Sequence, residues 1–165
     1  IPIDHYAAIN LRGIQDLVDA VGGVTVNNDL AFAVEGTSFD IGQIELNGEE
    51  ALAFVRMRYD DPRGDYGRQE RQRLVIQGIM QKLISINSMT KYQSILDALS
   101  DNMKTDMDFS TMQTIALDYR DAFSTIQMDQ LQGEGFMQDG VSYQRVSDEE
   151  LTRVQAELKD QMGLN

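Results

Sequence analysis

The apolar positions in the first part of the chain follow a helical period and then an alternating one. Asn10 favours a helix N-cap, and apolar residues recur after it every three or four positions as far as Val21. Gly22-Gly23 ends this pattern, and residues 24–26 have the alternation of a strand. We therefore expect the end of a strand and then a short connection within residues 1–8, followed by a helix and a strand. Residues 28–43 have no clear period, which favours a loop or a short hairpin.

The middle of the chain predicts two helices separated by a polar segment. Asn47 is a suitable cap for a helix over residues 47–55, which carries acidic residues in its first turn. Residues 56–67 contain proline and glycine and are expected to form a loop. A long helix is predicted over residues 69–86 and another over residues 90–99. The long helix should bury one apolar stripe: Leu74, Ile76, Ile79, Met80 and Leu83.

The last third of the chain predicts a helix, two strands and a final helix. The first helix covers residues 109–126, and strands at residues 127–131 and 141–145 would form a hairpin or meander. Ser147 begins a capping box for a helix that ends near Asp160. The whole order of elements predicts an α/β fold in which several helices are layered on a mixed central sheet.

Length and composition indicate one globular domain. The chain has 165 residues, of which 42% are hydrophobic and 25% charged, ordinary values for a domain with its own core. It has two prolines and no low-complexity run, so residues 1–165 are expected to form a single domain. Cysteine is absent, which excludes disulfides, thiolate nucleophiles and cysteine metal sites.

The charge balance excludes some classes of partner. A net charge of −13 opposes general nucleic-acid binding, which needs a basic surface that displaces counterions. The same charge opposes adsorption to an anionic bilayer. No apolar run reaches the roughly 18 residues of a membrane span. We therefore expect no nucleic-acid partner, and any membrane anchor would lie upstream of Ile1.

One segment departs from this acidic background. Residues 56–73 hold six of the chain's fourteen basic residues, all of them arginine, and four acids. The segment therefore carries a net charge of +2, while the other 147 residues carry −15. A guanidinium group stays charged and matches two phosphate oxygens at once, so two or three of them just ahead of a helix N-terminus could clamp a pyrophosphate. A solvated network of ion pairs is the alternative interpretation, and the residue types alone leave both open.

Two blocks of the sequence follow each other in order and at long spacing. The first block is Asp4-His5-Tyr6 with residues 17–26. The second is Leu46-Asn47-Gly48, Ala51-Leu52, Arg56-Met57-Arg58, Gly64-Asp65-Tyr66-Gly67-Arg68 and Arg71-Gln72. Together the blocks resemble the LytR-CpsA-Psr family, and the resemblance covers roughly residues 1–86.

The resemblance implies an extracytoplasmic, membrane-anchored glycopolymer transferase of α/β/α fold. Such an enzyme cleaves the anhydride of a polyprenyl-pyrophosphate-linked polymer (teichoic acid, capsule or secondary wall glycan). It transfers the glycosyl phosphate to a peptidoglycan hydroxyl, with Mg²⁺ or another divalent cation assisting. The N-terminal part of the family domain, with further strands, two aspartates and another arginine, is not in this sequence. The metal ligands and the catalytic base are therefore expected outside it, with none of the metal ligands in this chain.

Site residues carry over by position. Contact with the pyrophosphate is expected from Arg56, Arg58, Arg68 and Gln72. Arg71 is placed in the same pyrophosphate-binding motif, with a supporting or metal-side role, and Asp65 is the one catalytic candidate in the chain. The lipid tail would lie in an apolar tunnel between sheet and helices, although apolar stripes of this kind are more commonly core. The lining candidates are Ile14, Leu17, Val18, Val21, Ile76, Ile79, Met80 and Leu83.

Two alternatives to the transferase remain open. A non-catalytic module that binds pyrophosphate lipids or anionic wall polymers would keep the arginines and lack the catalytic aspartates. A transcriptional attenuator or regulator of the cell envelope would need a basic face, which the overall charge of −13 opposes.

Overall fold

The computed structural model describes residues 3–85, 95, 102–118 and 129–164. The contacts divide the chain into two compact units, which are described separately: His5–Ile126, and Ile1–Asp4 together with Gln127–Asn165. The single domain predicted from the sequence stays a prediction. The described strands are β1 Ala7–Ile9, β2 Val24–Asn28, β3 Phe32–Val34, β4 Thr37–Phe39, β5 Gly42–Leu46, β6 Met103–Thr105, β7 Glu134–Gln138 and β8 Val141–Arg145. The described helices are α1 Leu11–Ala20, α2 Gly48–Arg56, α3 Asp65–Ser85, α4 Phe109–Asp118 and α5 Asp148–Gln161.

The predicted α/β class is confirmed, and within the described ranges the strands pair two by two. In the larger unit β1 pairs with β6, β2 with β5 and β3 with β4, each antiparallel. The short hairpin expected between residues 28 and 43 is the β3–β4 pair. Strands β5 and β6 were not predicted, although residues of β5 alternate between exposed and less exposed positions. A strand end followed by a short connection was expected within residues 1–8, but residues 3–6 are not in a strand and β1 lies at Ala7–Ile9, directly before the helix cap.

Local capping signals placed the first two helices correctly. The Asn10 side chain accepts a hydrogen bond from the amide of Gly13, and Asn47 and Glu50 form a reciprocal capping box. Asp19, near the end of α1, accepts a hydrogen bond from the Gly48 amide at 2.8 Å. The carboxylate of Asp19 therefore supplies a second cap for α2 and joins the two helices.

The core of the larger unit lies among α1, α2, α3 and the β2–β5 pair. Three phenyl rings form its aromatic part: Phe32, Phe39 and Phe54 have centroids 4.9 to 5.5 Å apart. Val18 and Val75 are completely buried beside them in the same apolar cluster. The packing of this cluster fixes the positions of both ends of α2, and the C-terminal end carries residues of the candidate site.

Two details of α3 differ from the prediction. The helix begins at Asp65 rather than near residue 69, so Gly67 lies in its first turn and not in a loop. Ile76, predicted to be buried, is 39% exposed, whereas its neighbour Val75 is fully buried. The earlier start of the helix leaves its period unchanged. Which of its positions are buried is therefore decided by the packing of α3 against β2.

The smaller unit contains the β7–β8 hairpin and α5. The strand predicted at residues 127–131 is wrong where it can be compared: residues 129–133 are not in a strand, and β7 lies at Glu134–Gln138. Residues 127 and 128 lie outside the described residues. The predicted β8 is confirmed, and Ser147 caps α5 as expected. In the hairpin, Phe136 stacks on Tyr143, which lies directly opposite it.

Other predicted helices fall partly outside the described residues. The helix expected over residues 90–99 lies outside the described residues except for Ile95, which is buried. Of the helix expected over residues 109–126, the part at Phe109–Asp118 is described and confirmed.

The close approach of α1 and α2 predicts a strict requirement for glycine at position 48. A Cβ there would overlap with the Asp19 carboxylate and lie 2.5 Å from the Gln15 carbonyl oxygen. We expect Gly48→Ala to lower the free energy of unfolding by about 2 kcal/mol or more, measured by urea unfolding. Gly135→Ala is the matched control, because a Cβ there meets no atom closer than 3.6 Å. Equal stability of the two variants would contradict the packing described.

Candidate functional site

The candidate site lies where the C-terminus of α2 and the N-terminus of α3 are joined. Arg56 is the last residue of α2, and Arg58 follows two residues later. Arg68 is in the first turn of α3, and Gln72 is one turn further on the same helix. Arg56 and Arg58 are exposed, and neither forms an ion pair with an acidic residue in the described part of the chain.

Asp65 brings two of these arginines to one place. Its Oδ1 lies 2.6 Å from Nη2 of Arg68, and its Oδ2 accepts a hydrogen bond from Nε2 of Gln69 at 2.9 Å. The hydrogen bond from Gln69 lowers the pKa of Asp65 first, and the charges of Arg68 and Arg58 lower it further. Arg58 and Arg68 therefore lie within electrostatic range of the same carboxylate.

Arg68 has one donor without a partner among the described residues. Its Nε is enclosed and has no hydrogen-bond partner, although Nη2 is paired with Asp65. A buried donor without an acceptor costs about 1–3 kcal/mol, so an acceptor from beyond the described residues would stabilise it. An anion held by Arg68 and Arg58 would supply one.

Arg71 differs from these residues because it is buried. Its side chain is 2% exposed, and each of its three nitrogens has a partner. Nε donates to the carbonyl of Phe54 at 3.2 Å, Nη2 to the carbonyl of Met57 at 2.6 Å, and Nη1 to Asp61. The Phe32 ring lies 5.4 Å from the guanidinium carbon. The motif position of Arg71 is thus occupied by a side chain that is bonded within the protein.

Asp61 is buried with it. The carboxylate is 0% exposed and also accepts hydrogen bonds from the amide and Nε of Arg63, at 2.8 and 3.0 Å. Burial alone would raise the pKa of Asp61, but the hydrogen bonds from Arg63 and Arg71 outweigh it and lower the pKa to about 2. Asp60 and Asp61 are adjacent and identical in type, but only Asp60 is exposed.

The arginines of residues 56–73 therefore divide into two kinds. Arg63 pairs with Asp29, Asp61 and Glu70, and each nitrogen of Arg71 has a partner within the protein. The ion-pair interpretation therefore describes these two arginines. Arg73 also has a partner within the chain. Arg56 and Arg58 are exposed and Arg68 keeps one enclosed donor without a partner among the described residues, so these three remain the candidates for the anion site. The sequence alone had left both interpretations open because it could not assign each arginine.

The predicted lipid-lining residues do not all have the same environment. Five of them, Ile14, Leu17, Val18, Val21 and Ile79, are buried in the apolar core, and Leu83 packs against it. Ile76 is exposed and Met80 is half-buried. An open groove of about 470 Å³ lies between the end of α1 and the start of α2, but polar side chains such as Asp19, Glu45 and Lys82 line it, and none of the eight candidates does.

The residues near the arginines do not fit a magnesium site. In the described ranges no group of three or more histidine, aspartate or glutamate side chains could hold a metal ion. The carboxylate of Asp65 is already shared by Arg68 and Gln69, which compete with a cation for its oxygens. None of the helices described is long and apolar enough to cross a membrane.

Comparison with known proteins identifies the family. The model of the LytR_cpsA_psr family matches residues 1–160. The chain belongs to the LytR_cpsA_psr family. The resemblance carried by the arginine motif and by the upstream block is thereby confirmed, and the match extends beyond the residues that first indicated it.

Relatives in the LytR_cpsA_psr family include named transferases. The chain is 64% identical over 163 residues to the polyisoprenyl-teichoic acid–peptidoglycan teichoic acid transferase TagU of Enterococcus faecalis, covering 99% of this chain and 54% of the relative. The crystal structure of Bacillus subtilis TagU superposes with a TM-score of 0.73 at 40% identity, over 97% of this chain and 65% of that one. A structure of TagT bound to LI-WTA gives 0.76 at 26% identity, over 99% of this chain and 62% of that one. The chain therefore spans about half the length of the curated relatives it matches.

The low pKa of Asp61 predicts how the stability of this family member depends on pH. Asp61 stays ionised down to about pH 2 when folded, whereas an unfolded aspartate binds its proton near pH 3.9. The stabilisation is therefore present above about pH 4 and is lost as the pH falls towards 2. In Asp61→Asn it is absent, so the difference in unfolding free energy between wild type and variant should shrink by about 2 kcal/mol between pH 5 and pH 2.

Asp60→Asn is the matched control for this titration, because its side chain is exposed. We expect it to leave the free energy of unfolding within about 0.5 kcal/mol of the wild type. Urea unfolding of the full-length proteins at several pH values measures both differences. A difference for Asp61→Asn that is constant from pH 5 to pH 2 would contradict the buried ion pair.

Proposed function

We propose that this chain is part of an extracytoplasmic glycopolymer transferase, which moves a teichoic acid from a polyprenyl pyrophosphate carrier to peptidoglycan. The observation that carries the proposal is the exposed Arg56 and Arg58 together with the enclosed, unpaired Nε of Arg68 among the described residues of the α2–α3 junction, in a family whose members include TagU. TagU of Enterococcus faecalis is named for this transfer, and TagT has been seen with LI-WTA bound. Capsular polysaccharide and other wall glycans are the alternative polymers.

The chemistry proposed for the whole protein is a phosphoryl transfer. A peptidoglycan hydroxyl attacks the phosphorus that carries the polymer, the P–O bond of the anhydride breaks, and polyprenyl phosphate leaves with the electron pair. The proton of the hydroxyl passes to a base outside this chain. Negative charge collects on the bridging and terminal oxygens during this step, so fixed guanidinium groups lower its barrier.

The residues of this chain would bind and neutralise the diphosphate. Arg58 and Arg68 would hold it from two sides, with the enclosed Nε of Arg68 donating to a phosphate oxygen in place of its missing partner. Arg56 and Gln72 lie on the same two segments and would complete the contact. Asp65 would hold Arg68 in place through their ion pair. Because the Asp65 carboxylate is engaged in this pair, a supporting role fits it better than the role of a catalytic base.

The remaining requirements are assigned to parts outside this chain. A divalent cation such as Mg²⁺ would take its ligands there, because the described residues near the arginines do not fit one. Attachment to the membrane would likewise need a segment other than the helices described.

A non-catalytic module that binds the same lipid is the second candidate. The observation that favours it is that Asp65, the one acid of the motif proposed to do chemistry, has both oxygens engaged. Release of polyprenyl phosphate by the full-length protein, with lipid-linked teichoic acid as donor and peptidoglycan oligomers as acceptor, separates the two candidates. Binding without turnover would support the module and reject the transferase.

The arginine assignment predicts a large loss of affinity in a double variant. Removing both side chains in Arg58→Ala/Arg68→Ala takes away two charge-assisted contacts, so we expect the dissociation constant for undecaprenyl pyrophosphate to rise about 100-fold or more. Titration of the full-length protein with the lipid in detergent micelles measures this.

Arg12→Ala is the matched control, because it removes an exposed arginine of α1 and changes the net charge in the same direction. We expect less than a twofold change, since Arg12 is not part of the motif and its exposed charge is screened by salt. An unchanged affinity in the Arg58→Ala/Arg68→Ala variant would reject the assignment of the site.

A further inference from the structure

The guanidinium group of Arg71 binds the end of the helix that carries Arg56. The last carbonyl groups of an α-helix have no partner within the helix. Arg71 donates to two of the carbonyls at this end, those of Phe54 and Met57. Its positive charge also lies at the negative end of the dipole of α2. Arg71 therefore caps α2 from a different helix.

Asp61 provides the third acceptor for the same guanidinium group. It lies on the connection between α2 and α3, and its carboxylate accepts from Nη1 of Arg71. Gly67 leaves the room for this carboxylate, because a Cβ at that position would overlap with Asp61. The connection, the end of α2 and the second turn of α3 are thus joined at one buried group.

The side chains proposed to bind the diphosphate flank this buried group. Arg56 ends α2 and Arg58 follows two residues later, so both are next to Met57 in the sequence. On α3, Arg68 and Gln72 lie within three residues of Arg71. A short, rigid link between the two backbones fixes the separation of the two sets. A diphosphate bound from both sides requires a fixed separation, because misplacement of either set weakens its contact.

We propose that Arg71 and Asp61 are positioning residues, which set the spacing between Arg58 on one segment and Arg68 and Gln72 on the other. This rests on the function proposed above. The pair does not itself touch the ligand: its charges neutralise each other, it is buried, and every nitrogen of Arg71 has an internal acceptor. This separates two roles within a motif whose arginines look alike in the sequence.

The planar fork of arginine is what the role requires. Three acceptors, on Phe54, Met57 and Asp61, are reached from three different nitrogens of one rigid plane. A lysine keeps the charge but has one nitrogen, which cannot lie within hydrogen-bond distance of all three at those positions. Arg71→Lys therefore removes the rigid link while it conserves the net charge.

The test measures lipid affinity in Arg71→Lys and in a core variant of β2, outside residues 56–73. We expect the dissociation constant of full-length Arg71→Lys for undecaprenyl pyrophosphate to rise about 10-fold, at a temperature where circular dichroism shows it folded. Val26→Ala, which opens a cavity in β2, is the matched control for lost stability and should bind as the wild type does. Equal affinity of Arg71→Lys and Val26→Ala would overturn the proposal.

A selectivity measurement and a double-mutant cycle distinguish positioning from direct contact. Spacing matters for two phosphates and little for one, so Arg71→Lys should weaken binding of undecaprenyl pyrophosphate more than binding of undecaprenyl phosphate. Its effect should also largely disappear in the Arg58→Ala/Arg68→Ala background, because the side chains that it positions are gone. Equal weakening for both lipids, or an effect that is fully additive, would overturn positioning.

A milder variant keeps the proposal testable if Arg71→Lys does not fold. Asp61→Asn retains the shape of the side chain and removes its charge, and we expect a rise of about threefold in the dissociation constant, with Asp60→Asn unchanged. Wild-type affinity in a folded Asp61→Asn would reject positioning by Asp61 and leave the proposed function in place. Failure of the wild-type protein to bind undecaprenyl pyrophosphate would reject both.

Discussion

The junction of α2 and α3 depends on one buried ion, the guanidinium group of Arg71. Removing such a charge from water is costly, and the cost is recovered only if its hydrogen-bonding groups find partners. Asp61 and the carbonyls at the end of α2 are those partners, and the Phe32 ring covers one face of the group. Their positions are therefore constrained together. The geometry of the arginines nearby follows from this constraint rather than from contacts between the arginines themselves.

Arginines that look equivalent in the sequence have opposite roles in the fold. Arg63 and Arg71 satisfy their charges within the protein, whereas Arg58 is exposed and Arg68 keeps an enclosed donor unpaired. Charge and spacing correctly indicated an unusual segment, and the motif indicated its family. Neither the charge pattern nor the motif could show which of these side chains are buried. Their burial depends on where residues 29 to 57 lie when α3 packs against them.

The elements that could be predicted are those whose signals are local. Asn10, Asn47 and Ser147 cap helices through bonds to residues three positions away, and all three were predicted. Strand β6 was missed because its partner β1 is nearly one hundred residues distant. The start of α3 was misplaced because Gly67 resembles a loop residue. In the fold it is a helical residue with no side chain, which leaves room for the Asp61 carboxylate.

The same burial explains how an acidic protein can present a site for a polyanion. Two of the four acids in residues 56–73, Asp61 and Glu70, are paired with Arg63, so they oppose the exposed arginines less than free carboxylates would. The many acids elsewhere act through water, where salt screens charges beyond about 8 Å. In the proposed site, a small ligand would meet Arg58 and Arg68 at short range, whereas a long nucleic acid would also lie against the acidic surface. A compact diphosphate group fits this field, since its charge is concentrated within the reach of two or three guanidinium groups.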